Sequence, residues 1–287
     1  MADLLSAPTP RPARLRTLLA TPGPLVAPGA YDALSARLVE QAGFDVVYMT
    51  GFGSTASLIG RPDVGLLTGT EMVDNARRIA AAIDLPVIAD ADTGYGNAIN
   101  VVRTVQAYEQ AGVAGMHLED QVMPKKCGHM SGKAVIPAEE MVGKIRAAGA
   151  ARRDPDFVLI ARTDAVAVEG VAAAIARARA YAEAGADALF VEAPTSEDDI
   201  ARVAAELRGV APLVFNWAVA ASSVPIGNSA SAKPSSAMRA SGIGGVRPPS
   251  AQLNTSGATP ASSRPIVAMS SSLVGASTNN ASAPASA

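Results

Sequence analysis

The chain has 287 residues, 49% of them hydrophobic, a formal net charge of -2 and one cysteine. That apolar fraction can build a large core, while the near-neutral charge gives no electrostatic case for nucleic acid or an anionic membrane and points to a small-molecule partner. A lone cysteine excludes an internal disulfide framework, no apolar run approaches the roughly 18 residues that span a bilayer, and no secretory leader is visible, so the sequence reads as cytoplasmic.

Residues 1–23 read as a proline-rich arm leading into a small first helix that begins at Arg14–Leu19. From Pro24 to Ala218 one pattern recurs, an apolar run of strand length followed by a longer stretch with helical spacing. Strands are expected at 25–28, 46–50, 86–92, 115–120, 157–164, 188–193 and 213–217. Between them, Asp32–Gln41, Thr70–Ile83, Asn97–Gln110, Ala138–Ala148, Val168–Ala184 and Glu197–Leu207 place apolar residues at three- and four-residue steps. Gly43, Gly112 and Gly185 fall where a left-handed helix cap is needed.

Strict alternation implies parallel strands joined by right-handed crossovers, either as a closed barrel or as an open doubly wound sheet. The polar residues discriminate between them. Tyr48, Thr50, Asp90, Asp92, Glu119, Asp120, Arg162, Asp164, Glu192 and Asn216 all stand at strand C-termini, which a barrel gathers around one mouth. No dinucleotide-type glycine fingerprint opens the first crossover helix. The expected fold is therefore α/β, a (β/α)8 TIM-type barrel over residues 24–218.

Only seven strands precede Ala218, and there the composition breaks. Residues 219–287 contain no Asp or Glu and are dominated by Ser, Ala, Pro and Gly, the composition of a disordered, low-complexity tail. A natural tail or a slip of the reading frame near Ala218 would both produce it. The barrel is accordingly expected to lack its last strand and helices.

Two stretches suggest chemistry. Pro86–Gly96 runs a strand into Asp90 and Asp92, which alternate about Ala91 and would leave the strand on one side. Either the pair holds a divalent cation, or one aspartate caps a turn and the other is solvated. In Lys125-Lys126-Cys127-Gly128-His129 the cysteine stands among cations, which favour a thiolate able to exchange protons near neutral pH. A basic surface loop with an incidental cysteine is the plainer alternative.

Together with His117-Leu118-Glu119-Asp120-Gln121 and Ala161-Arg162-Thr163-Asp164-Ala165, these stretches resemble the isocitrate lyase and phosphoenolpyruvate mutase superfamily. The resemblance implies that Asp90 and Asp92 hold Mg²⁺, with Asp63 and Glu119 reaching it through water. It assigns substrate binding to Thr50, Gly51, Phe52, Gly128, Arg162, Glu192 and Asn216. Cys127 would be the proton donor, Tyr48 the base, and Lys125 and His129 would position the loop. Phe52 departs from the glycine of the family's Ser-Gly-Gly turn and would narrow the pocket. The implied activity is cleavage of a 2-hydroxy di- or tricarboxylate resembling methylisocitrate to a 2-oxo acid. The alternatives are a carboxyvinyl-carboxyphosphonate phosphorylmutase, and a barrel inactive because its C-terminus is altered. The family also implies a homo-oligomer.

Overall fold

The computed structural model describes residues 10–127 and 132–216, together with a strand at 266–270. Residues 1–9 of the expected arm, Gly128, His129 and all of the tail except that strand lie outside the described residues. Strands β1 (Leu25–Ala30), β2 (Val47–Met49), β3 (Val87–Asp90), β4 (Gly115–Glu119), β5 (Val158–Thr163), β6 (Ala188–Val191) and β7 (Leu213–Asn216) pair in parallel, each with the next. The expected alternation thus forms a curled parallel sheet.

One expectation is corrected. A strand from the tail, β8 (Ile266–Ser270), pairs in parallel with β7 on one side and β1 on the other, and the barrel is closed. The reason is local. Open edges on β1 and β7 present unpaired N–H and C=O groups, and Ile266-Val267-Ala268-Met269 is an apolar run in the tail that suits a buried strand. Among the described residues no helix follows β7.

The helices follow their caps. Helix α2 (Ala33–Gln41) starts at Asp32, whose carboxylate accepts from Ser35 N–H, while α4 (Gly69–Ala82) and α5 (Ala98–Ala111) start with capping boxes at Thr68/Glu71 and Asn97/Asn100. Helices α6 (Ala138–Ala151) and α9 (Glu197–Glu206) lie where the apolar spacing put them. The helix expected over 168–184 is divided by Gly170, at φ 87°, into α7 (Val166–Glu169) and α8 (Val171–Glu183). Helix α3 (Gly51–Ile59) was not foreseen, because its first residues read as a substrate-binding turn. No helix among the described residues is long and apolar enough to cross a membrane.

Strand alternation splits the core in two. Val47, Met49, Val87, Ala89, Met116, Leu118, Leu159 and Leu189 face the helices, whereas Val46, Tyr48, Ile88, Val158, Ile160, Phe190 and Val214 fill the barrel. The bottom of the barrel is plugged by α1 (Arg11–Ala20), longer than expected, through Leu15 and Leu19. Arg16 fastens the plug, donating to the carbonyls of Asp156 and Pro155 and to Asp187 Oδ1, each at 3.0 Å. Leu15→Ala should lower unfolding free energy by about 2–5 kcal/mol in denaturant titration, the cost of a cavity at a fully buried leucine. A loss below about 1 kcal/mol would mean that the plug contributes little packing.

Candidate active site

The strand C-termini converge on a cavity of about 30 Å³ lined by Tyr48, Thr50, Phe52, Asp63, Asp90, Glu119, Lys125, Lys126, Cys127, Arg162 and Asn216. That is room for roughly two water molecules. It brings together most of the residues singled out from sequence, while Asp92 and Glu192 are buried without lining it.

Asp90 ends β3 and is fixed from three elements. Its Oδ2 accepts from Gly51 N–H at 3.1 Å and lies 3.4 Å from the Tyr48 hydroxyl, and its Oδ1 accepts from Asp92 N–H at 2.9 Å. A Cβ at position 51 would overlap Asp90 Oδ2, so only glycine lets the first turn of α3 approach. Gly51→Ala should therefore displace Asp90 and lower stability in denaturant titration; unchanged stability would show that the backbone yields instead.

Asp92 differs from expectation. The strand stops at Asp90, and Asp92 sits in a turn at φ 47°, a left-handed conformation uncommon outside glycine and often found at functional sites. Its carboxylate does not continue the strand's alternation but meets Lys125, whose Nζ lies 2.7 Å from Asp92 Oδ1 and 2.6 Å from Asp63 Oδ1. The ammonium expected to serve the thiol is thus taken up by two carboxylates. Burial, reinforced by Asp90 and Asp63 and opposed by Lys125, pushes Asp92 up to about 6. Burial likewise raises Asp63 and Glu119. It works against Asp90 too, but His117, Lys125 and the Asp92 N–H outweigh it and hold that carboxyl well below the usual range.

Four buried carboxylates in one place call for positive charge, and their donor atoms are all oxygen, as a hard cation requires. Asp92 Oδ1 receives no well-directed hydrogen bond despite the nearby ammonium, so it keeps acceptor capacity. Among the described residues no three His, Cys, Asp or Glu side chains form a ready cage. Mg²⁺ does not need one, since it commonly takes one or two carboxylates and retains water. The donor set fits Mg²⁺.

Behind Asp90 stands His117, whose Nε2 is 2.9 Å from the Tyr48 hydroxyl and 3.4 Å from Asp90 Oδ1. It is fully buried between the rings of Tyr48 and Phe190, and its Nδ1 has no partner. Sequence reasoning assigned it no role, although strand alternation puts residue 117 on the same side as Glu119. Burial, then Asp90, raises the Tyr48 phenol well above its ordinary value.

Arg162 leaves β5 between acids. Asp164 accepts from its Nε and Nη2 at 2.9 Å each, Glu119 Oε2 lies 3.3 Å from Nε, Glu192 Oε1 lies 3.6 Å from Nη2, and the guanidinium is 5.0 Å from the Phe190 ring centre. Both Glu192 oxygens and Asn216 Oδ1 are buried without hydrogen-bond partners. The loop after β4 is folded by Gln121, which bonds Glu119 Oε1 at 3.1 Å and both the carbonyl and the N–H of Lys126 at 2.9 Å. That clamp, also unforeseen, returns the partly exposed Cys127 to the cavity.

Residues 15–232 match the family described as phosphoenolpyruvate phosphomutase. The chain belongs to the phosphoenolpyruvate mutase/isocitrate lyase superfamily. Within it, the chain is 57% identical over 191 residues to the 2,3-dimethylmalate lyase of Eubacterium barkeri, covering 67% of this chain and 66% of that one. It is 51% identical over 200 residues to the chloroplastic carboxyvinyl-carboxyphosphonate phosphorylmutase of Arabidopsis thaliana, covering 68% and 59%. The match therefore spans about three fifths to two thirds of these relatives. A phosphonopyruvate hydrolase solved with oxalate and Mg²⁺ is similar at a TM-score of 0.66 and 38% identity over 72% of both chains.

Proposed function

We infer that the chain is a Mg²⁺-dependent carbon–carbon lyase that cleaves a 2-hydroxy di- or tricarboxylate to a 2-oxo acid. The observation that carries this reading is the presence of Cys127 in the same cavity wall as Tyr48, Asp90 and Arg162. Asp90 and Asp92 would hold the ion, with Asp63 and Glu119 reaching it through water; when bound it supplies a Lewis acid for negative charge on the 2-oxo acid product.

The remaining steps belong to the side chains. The buried Tyr48 phenol keeps its proton at neutral pH, so it acts as a relay that requires His117 in its neutral form with the proton on Nδ1: the phenol proton passes to His117 Nε2 as the oxygen accepts the proton of the substrate's 2-hydroxyl. The oxygen's electrons form the carbonyl and the adjacent C–C bond breaks. The electron pair left on the departing carbon, next to a carboxylate, takes a proton from Cys127. Arg162 would supply positive charge for a substrate carboxylate, and Thr50, Phe52 and Asn216, which line the same cavity, would contact its other groups. Lys125 ties the loop to Asp63 and Asp92.

Similarity to the Arabidopsis phosphorylmutase supports a second reading, phosphorus–carbon bond formation, in which Cys127 has no proton to give. The test supplies 2,3-dimethylmalate or 2-methylisocitrate with Mg²⁺ and follows pyruvate. Metal-dependent release supports the lyase; none from either, with Mg²⁺ bound, rejects it in favour of the phosphorylmutase or an inactive barrel. The same reading makes the protein a cytoplasmic homo-oligomer, for which sedimentation as a monomer would count against the assembly.

A further inference from the structure

Arg162 faces three carboxylates, Asp164, Glu119 and Glu192, and could pair with any of them. Its fork is nevertheless committed to Asp164, with Nε on Oδ2 and Nη2 on Oδ1. That choice requires Asp164 to be fixed first. Its backbone N–H donates to Asp120 Oδ1 at 2.9 Å, and Lys133 Nζ lies 2.6 Å from its Oδ1.

Asp120 is fully buried and follows Glu119 at the end of β4, where neighbouring side chains take opposite faces. Its Oδ2 accepts from Thr163 Oγ1 and from the Tyr181 hydroxyl at 2.7 Å each, with Arg177 Nη1 at 3.4 Å. Arg177 is itself held by Glu169 at 2.7 and 2.8 Å and by the Ile136 carbonyl at 2.8 Å. Lower on the same strands the contact with the helices is apolar, through Met116, Leu118, Leu159 and Ala161. A buried carboxylate there costs desolvation that an apolar residue would avoid, so stability alone does not account for it.

We propose that Asp120 is a positioning residue that fixes Arg162 through Asp164. With Nε and Nη2 committed, the guanidinium offers the cavity one defined end, Nη1, in place of a fork that swings between acids. The proposal rests on the reading of Arg162 as the clamp for a substrate carboxylate.

The test is a cycle of Asp120→Asn and Arg162→Lys, read by titrating oxalate into the Mg²⁺-loaded protein, alongside the nitrogen-15 spectrum of the Arg162 Nε–H, which Arg162→Lys assigns. Asp120→Asn should weaken oxalate binding about tenfold, as losing one charge-assisted bond does, and by less than about twofold in the Arg162→Lys background. It should also shift or broaden the Nε–H resonance. Equal weakening in both backgrounds, or an unchanged resonance, overturns the proposal. If the unsubstituted protein binds no oxalate, the clamp reading fails, and the resonance alone decides whether Asp120 fixes Arg162. Should Asp120→Asn not fold, Thr163→Val removes one of the bonds to Asp120 and is read in the same way.

Discussion

Replacing Cys127 with serine is expected to cut turnover of 2,3-dimethylmalate by about 10²–10⁴-fold, the range that a positioned proton donor contributes. The exchange nearly conserves shape at a partly exposed position of the cavity lining, so the carboxylates that share the cavity should be undisturbed. A serine hydroxyl is a far weaker acid than a thiol, whose ordinary pKa is about 8.5. Oxalate and Mg²⁺ affinities, measured calorimetrically, should therefore stay within about twofold while steady-state turnover collapses. Turnover within about threefold of the parent would remove Cys127 as the proton donor and assign that step to another group or to water.

Asp90→Ala should abolish measurable Mg²⁺ binding and also destabilise the fold. Two backbone donors, Gly51 N–H and Asp92 N–H, point at this carboxylate in a buried setting, and each would be left unpaired at a cost of about 1–3 kcal/mol. Asp90→Asn separates the two effects. Its amide oxygen can still accept one of those bonds, so denaturant unfolding should recover much of the lost stability while the metal affinity does not return. Equal Mg²⁺ affinity in the parent and both variants would reject Asp90 as a ligand.

The sequence made β1 to β7 and most helices readable because each strand is short and apolar and most helices carry a side-chain cap or a glycine stop, while α6 has only its apolar spacing. Gly43, Gly112 and Gly185 all adopt the positive φ that their position after a helix demanded. Helix α3 escaped because Gly51, Phe52 and Gly53 look like a turn, and only the approach of its first turn to Asp90 explains why glycine opens a helix. Strand β8 escaped because four apolar residues in a Ser- and Ala-rich tail have no period of their own, and their reason to be a strand is the gap between β7 and β1.

At the site, residue types pointed to the strand ends but not to the pairings. Lys125 was read by its neighbour in sequence, Cys127, whereas its charge goes to Asp63 and Asp92, carboxylates 62 and 33 positions away in the numbering. Asp120, Asp164, Tyr181 and Arg177 come from three elements, and no local pattern ties them together before the barrel brings β4 and β5 under α8.

The plug at the bottom of the barrel reverses the order in which the chain is made. Helix α1 leaves the ribosome before every strand, yet Arg16 reaches Asp187, 171 residues later, and Leu15 and Leu19 sit in a cluster that includes Val214. Its seat does not exist until β6 and β7 have been synthesised and paired. Contacts so distant in sequence are closed slowly, because the entropy of the intervening chain must be given up before they form. A helix translated before all of these strands is therefore among the last parts to dock, and until then the nascent barrel stands open at its lower end.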